Sequence, residues 1–160
     1  MILASVSENL KIEKRIAITP EIAKKYISLG LEISLTENYG VHLGIKDNEY
    51  KQMGVLISKD EKEIINKANI IIQLGLLPDE KNLHIQQDQT LIGSLNPYSN
   101  KDKIEALLKK KINVFSLELL PRITRAQSMD ILSSQANLAG YKAVIESFSE
   151  FEKALSLIHI

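Results

Sequence analysis

Residues 69–74 read NIIIQL and residues 90–95 read TLIGSL, and these two short stretches decide the fold. Both contain β-branched residues, which favour strands, and both are almost continuously apolar rather than alternating. Continuous apolar strands are typical of parallel sheets, in which helices cover both faces. Similar stretches at residues 2–6, 31–35 and 114–119 supply further strands. The pattern therefore predicts a parallel sheet between two layers of helices.

Helix signals separate these strands. Residues 19–20 read TP and fit the N-cap and first position of a helix, and Gly30 fits its end. Residues 58–61 read SKDE and fit a capping box with Ser58 as the N-cap of the next helix. A further helix is predicted over residues 100–111. Its predicted inward residues are Ile104, Leu107 and Leu108. The alternation predicts an α/β fold of the flavodoxin or Rossmann type.

The C-terminal part of the chain predicts one long helix. From Ala126 to about residue 155, apolar residues recur at spacings of three and four, as on one face of an amphipathic helix. A helix of about 30 residues extends about 45 Å, more than a small domain needs. We therefore expect it to link to another domain or to associate with one; packing on its own sheet is the alternative. Its small residues, which would let another backbone come close, are Ala136, Ala139, Gly140 and Ala143.

The composition excludes several classes of protein. The chain has 160 residues, no net charge and no cysteine. A neutral chain lacks the basic surface expected for nucleic-acid binding. The absence of cysteine excludes disulfides, thiolate catalysis and cysteine-ligated metals. No apolar run approaches the roughly 18 residues of a membrane span, and no signal peptide is apparent. These features predict a cytoplasmic protein that neither binds nucleic acid nor inserts into a membrane.

No common catalytic or metal-binding motif is present. The seven glycines are scattered and do not form the GxGxxG turn of a dinucleotide site. P-loop, HExxH and GxSxG motifs are also absent from the sequence. We accordingly predict no metal site.

Polar groups are concentrated instead in residues 121–134, which read PRITRAQSMDILSS. Arg122 and Arg125 can form forked hydrogen bonds to phosphate or carboxylate groups. Gln127 offers a donor and an acceptor, Asp130 can accept from an amide or hydroxyl group, and Ser133 can do either. This combination suits a ligand with amide and hydroxyl groups beside an anionic part. On the residues alone, the alternative is that Ser128 or Asp130 caps a helix and the arginines form surface ion pairs.

Two segments resemble a known family. Residues 119–147, LLPRITRAQSMDILSSQANLAGYKAVIES, are similar to a segment of the alpha subunit of proton-translocating NAD(P) transhydrogenases. Residues 13–30, EKRIAITPEIAKKYISLG, resemble an N-terminal pattern that these enzymes share with alanine dehydrogenases. The resemblance extends to about residue 155 and implies an N-terminal domain of the alanine dehydrogenase/pyridine nucleotide transhydrogenase family, ending before the NAD-binding Rossmann domain. It implies an α/β lobe over residues 1–125, a linking helix over residues 126–155 and a possible non-native tail over residues 156–160.

The resemblance implies specific roles for the polar segment. Arg122, Gln127, Asp130 and Ser133 would line the nicotinamide-ribose end of NAD(H), with Arg125 as a further binding residue. Gln127 would also reach toward NADP(H) on a partner domain. Gln127 and Asp130 would serve catalysis by positioning, because hydride transfer between two nicotinamides needs no proton carrier from the protein.

The family also implies partners and a location. The chain would form a homodimer and assemble with the NADP-binding and membrane subunits of a transhydrogenase. It would then be cytoplasmic and peripheral to the inner membrane, and the whole enzyme would couple hydride transfer to proton translocation.

Two other functions remain open from the sequence. An alanine dehydrogenase-like oxidoreductase would bind a 2-oxo acid with an arginine, a lysine and a histidine. The arginine matches Arg15, but the lysine position is Gly75 and the histidine position is Asn96, which disfavours this function. The other is a dimerisation lobe without catalytic activity.

We expect the 160-residue chain alone to catalyse neither transhydrogenation nor alanine oxidation. The sequence lacks the glycine-rich turn that holds a pyrophosphate on a helix N-terminus. Steady-state assays of both reactions with the purified chain test this expectation. Turnover above the uncatalysed rate in either assay would contradict it.

Overall fold

Six short strands form one parallel sheet in the computed structural model, which describes residues 1–151. The strands are β1 (Ile2–Ser5), β2 (Glu32–Thr36), β3 (Leu56–Ser58), β4 (Ile70–Gln73), β5 (Thr90–Gly93) and β6 (Asn113–Ser116). Their order across the sheet is β3-β2-β1-β4-β5-β6. This is the order of the Rossmann fold, in which the chain changes direction across the sheet between β1 and β4. The predicted α/β fold with a parallel sheet is confirmed.

Five helices connect these strands, and a sixth follows the sheet. They are α1 (Pro20–Ser28), α2 (Asp47–Gln52), α3 (Glu61–Lys67), α4 (Asp79–Asn82), α5 (Lys101–Lys109) and α6 (Ile131–Glu150). The predicted cap of α1 is confirmed, since the Thr19 hydroxyl accepts a hydrogen bond from the backbone N–H of Ile22 at 3.4 Å. The chain divides into two units, Met1–Leu117 and Glu118–Ile160, so the sheet and α1–α5 lie in the first and α6 in the second.

Both faces of the sheet are buried. Neighbouring residues of β1 enter different clusters, Leu3 with Ile33 and Leu35 of β2, and Ala4 with Ile71 and Leu91 of β4 and β5. Because successive side chains of a strand point to opposite faces, this division requires apolar residues at consecutive positions. The continuous apolar strands in the sequence have this physical origin.

The structure corrects four local predictions. The N-cap of α3 is Asp60, whose carboxylate accepts from Lys62 N at 2.9 Å, whereas Ser58 ends the unpredicted strand β3. Helix α4 was not predicted either. Leu108 is exposed rather than inward-facing, although Leu107 is buried. The last strand ends at Ser116, because a 3₁₀ turn follows at Leu117–Leu119.

The second unit begins with a loop rather than with the predicted helix. Residues Thr124–Met129 form a 3₁₀ helix, and α6 starts only at Ile131, so the predicted start at Ala126 is wrong. The described part of α6 has 20 residues, which corresponds to about 30 Å. None of these 20 residues is buried. Leu155 and the predicted tail at residues 156–160 lie outside the described residues. Within residues 1–151, no helix is both long and apolar enough to cross a membrane.

Candidate functional site

The 3₁₀ helix Thr124–Met129 places the predicted site residues on one side of the chain. A 3₁₀ helix has three residues per turn, so side chains three positions apart lie directly above one another. Thr124, Gln127 and the following Asp130 have this spacing. The turn is closed by Ala126, which is buried and donates its backbone N–H to Ile123 O at 2.9 Å. The local conformation therefore brings Gln127 and Asp130 to the same side.

A small cavity of about 250 Å³ lies against this side of the turn. Its lining includes Arg122, Gln127 and Asp130, three of the five predicted site residues. Arg125 and Ser133 do not line the cavity. Apart from these polar groups, it is lined by Leu120, Pro121, Ile123, Thr124 and Ala126. The cavity thus combines an apolar wall with an amide, a carboxylate and a guanidinium group.

Asp130 is the N-cap of α6 and is held by Ser133. Its carboxylate accepts from Ser133 N at 3.0 Å and from the Ser133 hydroxyl at 2.6 Å. These two hydrogen bonds, with a smaller contribution from the charge of Arg122, lower the pKa of Asp130. The carboxylate is therefore ionised at neutral pH. The structure thus bears out the alternative in which Asp130 caps a helix. An ionised carboxylate accepts up to about four hydrogen bonds, however, so the cap leaves acceptor capacity toward the cavity.

The two arginines of this segment are exposed. Among residues 1–151, neither Arg122 nor Arg125 forms a salt bridge with a carboxylate. The alternative in which they form surface ion pairs is therefore not what the described residues show. Their guanidinium groups are available to an anion.

The first unit contains a second, larger cleft that the sequence reasoning missed. It has a volume of about 630 Å³ and lies where the segments after β1 and β4 leave the sheet. In open parallel sheets, ligands bind at the carboxyl ends of the strands where the strand order reverses, which is this position. Among its lining residues are Glu8, Glu13, Arg15, Gly75, Lys81 and Lys103. The signal in the sequence is weak, because the cleft depends on strand order and not on a local motif.

The basic groups of this cleft are paired with acidic groups. Arg15 donates to Glu13 through Nε at 2.8 Å and Nη2 at 2.5 Å. The ammonium group of Lys81 lies 2.7 Å from Glu61, and that of Lys103 lies 3.1 Å from Asp79. These pairs neutralise the cations that an anionic ligand would require.

Glu8 is the most perturbed acidic group of the cleft. Burial raises its pKa, and hydrogen bonds from the backbone N–H groups of Leu74 and Gly75 oppose this effect. The Leu74 N–H lies 2.7 Å from the carboxylate. Glu8 thus occupies backbone donors at the end of β4 that could otherwise hold an anion.

Arg15 and Gly75, two of the three positions compared with alanine dehydrogenase, both line this cleft. Asn96, the third, lies in the loop after β5 with a positive φ of 47° and is not among the lining residues. A metal site is not suggested by the described part of the chain, where no group of three or more potential ligands occurs.

Comparison with known proteins identifies the family. A family model described as "Alanine dehydrogenase/PNT, N-terminal domain" matches residues 5–139. The chain is 38% identical over 162 residues to an NAD(P) transhydrogenase alpha subunit of Rickettsia prowazekii, covering 99% of this chain and 42% of the relative.

Solved structures have the same fold. The transhydrogenase from Sinorhizobium meliloti superposes with a TM-score of 0.89 at 35% identity, over 97% of this chain and 46% of that one. An L-alanine dehydrogenase superposes with a TM-score of 0.69 at 18% identity, over 74% of this chain and 32% of that one. The second likeness concerns the fold alone.

The chain spans less than half the length of the relatives it matches. The family model nevertheless covers most of the chain, and the resemblance noted from the sequence is confirmed. The chain belongs to the family of alanine dehydrogenase/PNT N-terminal domains.

Proposed function

We propose that the chain acts as the N-terminal lobe of an NAD(P) transhydrogenase alpha subunit, in which residues 121–133 form part of the NAD(H) site. One observation carries the proposal: the 3₁₀ turn that gathers Arg122, Gln127 and Asp130 around one cavity. A helix packed for stability alone would not place three polar groups at a cavity with an apolar wall. The similarity to transhydrogenase subunits supports the same assignment.

The chemistry of the cavity suits one end of a dinucleotide. A volume of about 250 Å³ is below the range of whole small-molecule sites and fits a single ring system. The carboxamide of a nicotinamide can donate to Asp130 and exchange hydrogen bonds with Gln127. Arg122 and Arg125 would meet the phosphates, and Ser133 would support Asp130. These residues bind and orient the ring, and the cofactor supplies the hydride chemistry.

The parent enzyme would transfer hydride between NAD(H) and NADP(H). In this proposal NADP(H) is held by a partner domain, and Gln127 lies at the contact between the two nucleotides. The relative from Rickettsia prowazekii is named as a subunit, in keeping with an enzyme of several chains. Proton translocation would occur in a separate membrane subunit, and this chain would lie at the cytoplasmic side of the inner membrane.

Titration of the chain with NADH, followed by amide NMR, tests the site. We expect the backbone signals of Arg122, Gln127 and Ser133 to shift at millimolar NADH, and Gln127→Ala to weaken the response. Gln52, an exposed glutamine in the last turn of α2, provides the matched control, since Gln52→Ala should leave the titration unchanged. Shifts confined to other regions of the chain, or none at several millimolar NADH, would refute the proposed site.

An alanine dehydrogenase-like function is the weaker candidate. Arg15 lines the larger cleft, but it is held by Glu13, and a glycine occupies the position of the lysine. A carboxylate ligand would therefore lack most of its cationic partners.

We also propose that α6 mediates association, either with a second copy of the chain or with another component of the enzyme. Phe148 and Phe151 are 59% and 49% exposed and lie along an open apolar groove with Ala143 and Val144. Contiguous exposed apolar surface of this kind marks interaction sites. The small residues Ala139 and Gly140 would permit a close approach of backbones.

Phe148→Ser combined with Phe151→Ser is expected to shift the chain toward the monomer. Sedimentation velocity over a range of concentrations measures this change, and circular dichroism checks that the helical content is kept. Gly140→Ala should also weaken association if backbones meet there. A wild-type chain that sediments as a monomer at all concentrations would show that α6 does not mediate self-association.

A further inference from the structure

Gln73, the last residue of β4, occupies a structurally unusual position. The register pairs Leu3 with Ile70 and Ala4 with Ile71, so the pairing of β1 with β4 ends two residues before Gln73. The Gln73 side chain continues it. Its amide oxygen accepts from Val6 N at 2.9 Å and its amide nitrogen donates to Val6 O at 3.1 Å. The amide thus bonds both backbone groups of Val6, as a paired strand residue would.

Hydrogen bonds extend from this amide to both ends of residues 6–18. The Gln73 oxygen also accepts from Ser5 Oγ at 2.8 Å, and Ser5 Oγ lies 2.7 Å from the Tyr39 hydroxyl. The same hydroxyl accepts from Ala17 N at 3.1 Å and from Ile18 N at 3.3 Å. Residues 6–18 are therefore held at their start by Gln73 and at their end by Tyr39.

This segment forms one wall of the larger cleft, to which it contributes Glu8, Glu13 and Arg15. The Gln73 amide nitrogen also lies 3.4 Å from the Glu8 carboxylate, which accepts from Leu74 N. Gln73 is 1% exposed, so its hydrogen bonds are not replaced by water. Only a neutral amide supplies an acceptor to Val6 N together with a donor to Val6 O and Glu8.

We propose that Gln73 is a positioning residue that keeps this cleft pre-formed. The divergence of β1 and β4 opens the cleft, and the Gln73 amide fixes the wall on the β1 side in place of the missing backbone pairs. A pre-formed wall lowers the conformational cost of binding a ligand. The inference concerns the first unit alone and does not depend on the proposed nucleotide site.

Amide hydrogen exchange by NMR tests the proposal on the full chain. The probes are Val6 N–H and Leu74 N–H, and protection factors are normalised to Leu91 in the core. Gln73→Leu is expected to reduce both normalised protection factors roughly tenfold, since it leaves both backbone groups of Val6 unpaired.

Gln73→Glu gives a readout that a merely structural role would not. At about pH 8 its charge would repel Glu8 and expose Leu74 N–H to exchange. At about pH 5 the buried, protonated acid could donate again and restore protection. Gln73→Leu should show no such recovery.

Gln89 is a matched control, because it is another buried glutamine with a fully engaged amide. It donates to Ile65 O at 2.7 Å and to Ala68 O at 2.6 Å, and it accepts from Gln86 N at 2.7 Å. Gln89→Leu should destabilise the fold without changing the normalised protection of Val6 and Leu74. Unchanged protection in Gln73→Leu, the same change in Gln89→Leu, or no recovery of Gln73→Glu at about pH 5 would overturn the proposal. If Gln73→Leu does not fold, the pH response of Gln73→Glu decides.

Discussion

Gly93→Ala is expected to lower the free energy of unfolding by about 2–4 kcal/mol, a large effect for one methyl group. Gly93 pairs with Gln73 in the register of β5 with β4. A Cβ atom at Gly93 would lie 2.3 Å from the Gln73 carbonyl oxygen and 3.1 Å from Leu95 Cδ2. The nearest obstacle is backbone, so the two strands would have to separate. Urea denaturation of the wild type and the variant, followed by circular dichroism, measures the change.

Gly140→Ala is the matched control for this substitution. Gly140 lies within α6, and no atom lies within 4 Å of a Cβ built there. Alanine favours helices over glycine by about 1 kcal/mol, so Gly140→Ala should leave stability unchanged or raise it. Equal destabilisation by both substitutions would show that the approach of Gly93 to Gln73 is not as close as described.

The sheet could be predicted from the sequence because burial on both faces leaves a direct pattern. Residues 69–74 and 90–95 are apolar at consecutive positions, and both contain central strands. The edge strand β3 was missed for the same reason. It has only three residues, of which Leu56 is 59% exposed, so no continuous apolar stretch marks it.

Helix ends were harder to predict because neighbouring residues can serve the same purpose. Ser58 and Asp60 can both cap a helix, and the choice between them depends on where β3 ends. The structure uses both, since Ser58 Oγ accepts from Asp60 N at 3.1 Å and Asp60 caps α3. Helical spacing also placed Leu108 inward, but it is 52% exposed beside the buried Leu107.

The candidate site shows a similar limit. Residue types and resemblance selected Arg122, Gln127 and Asp130, but an α-helix from Ala126 would have given these residues a different arrangement. The capping of α6 by Asp130 delays the helix, and the preceding six residues take the tighter 3₁₀ form. The larger cleft could not be found locally, because residues 8 and 75 meet only once β1 and β4 are neighbours.

Gln127→Ala is expected to slow hydride transfer by about tenfold to a hundredfold in the complete enzyme that we propose, since small misplacements of reacting groups cost that much. Gln127 is exposed, so its removal should change stability by less than about 0.5 kcal/mol. Single-turnover transfer between bound nucleotides gives the rate, and thermal unfolding gives the stability. A sharply lowered melting temperature with an unchanged rate would mean that the segment is structural.

Asp130 requires a pair of substitutions, because it caps α6 as well as lining the cavity. Asp130→Ala removes the acceptor for Ser133 N and is expected to impair both the helix start and hydride transfer. Asparagine is an equally good N-cap, so Asp130→Asn should keep the melting temperature while removing the ionised acceptor from the cavity. We therefore expect Asp130→Asn to slow transfer nearly as much as Asp130→Ala does. If Asp130→Asn instead transfers hydride at the wild-type rate, the cap is the only role of Asp130, and the nicotinamide must be positioned by other groups.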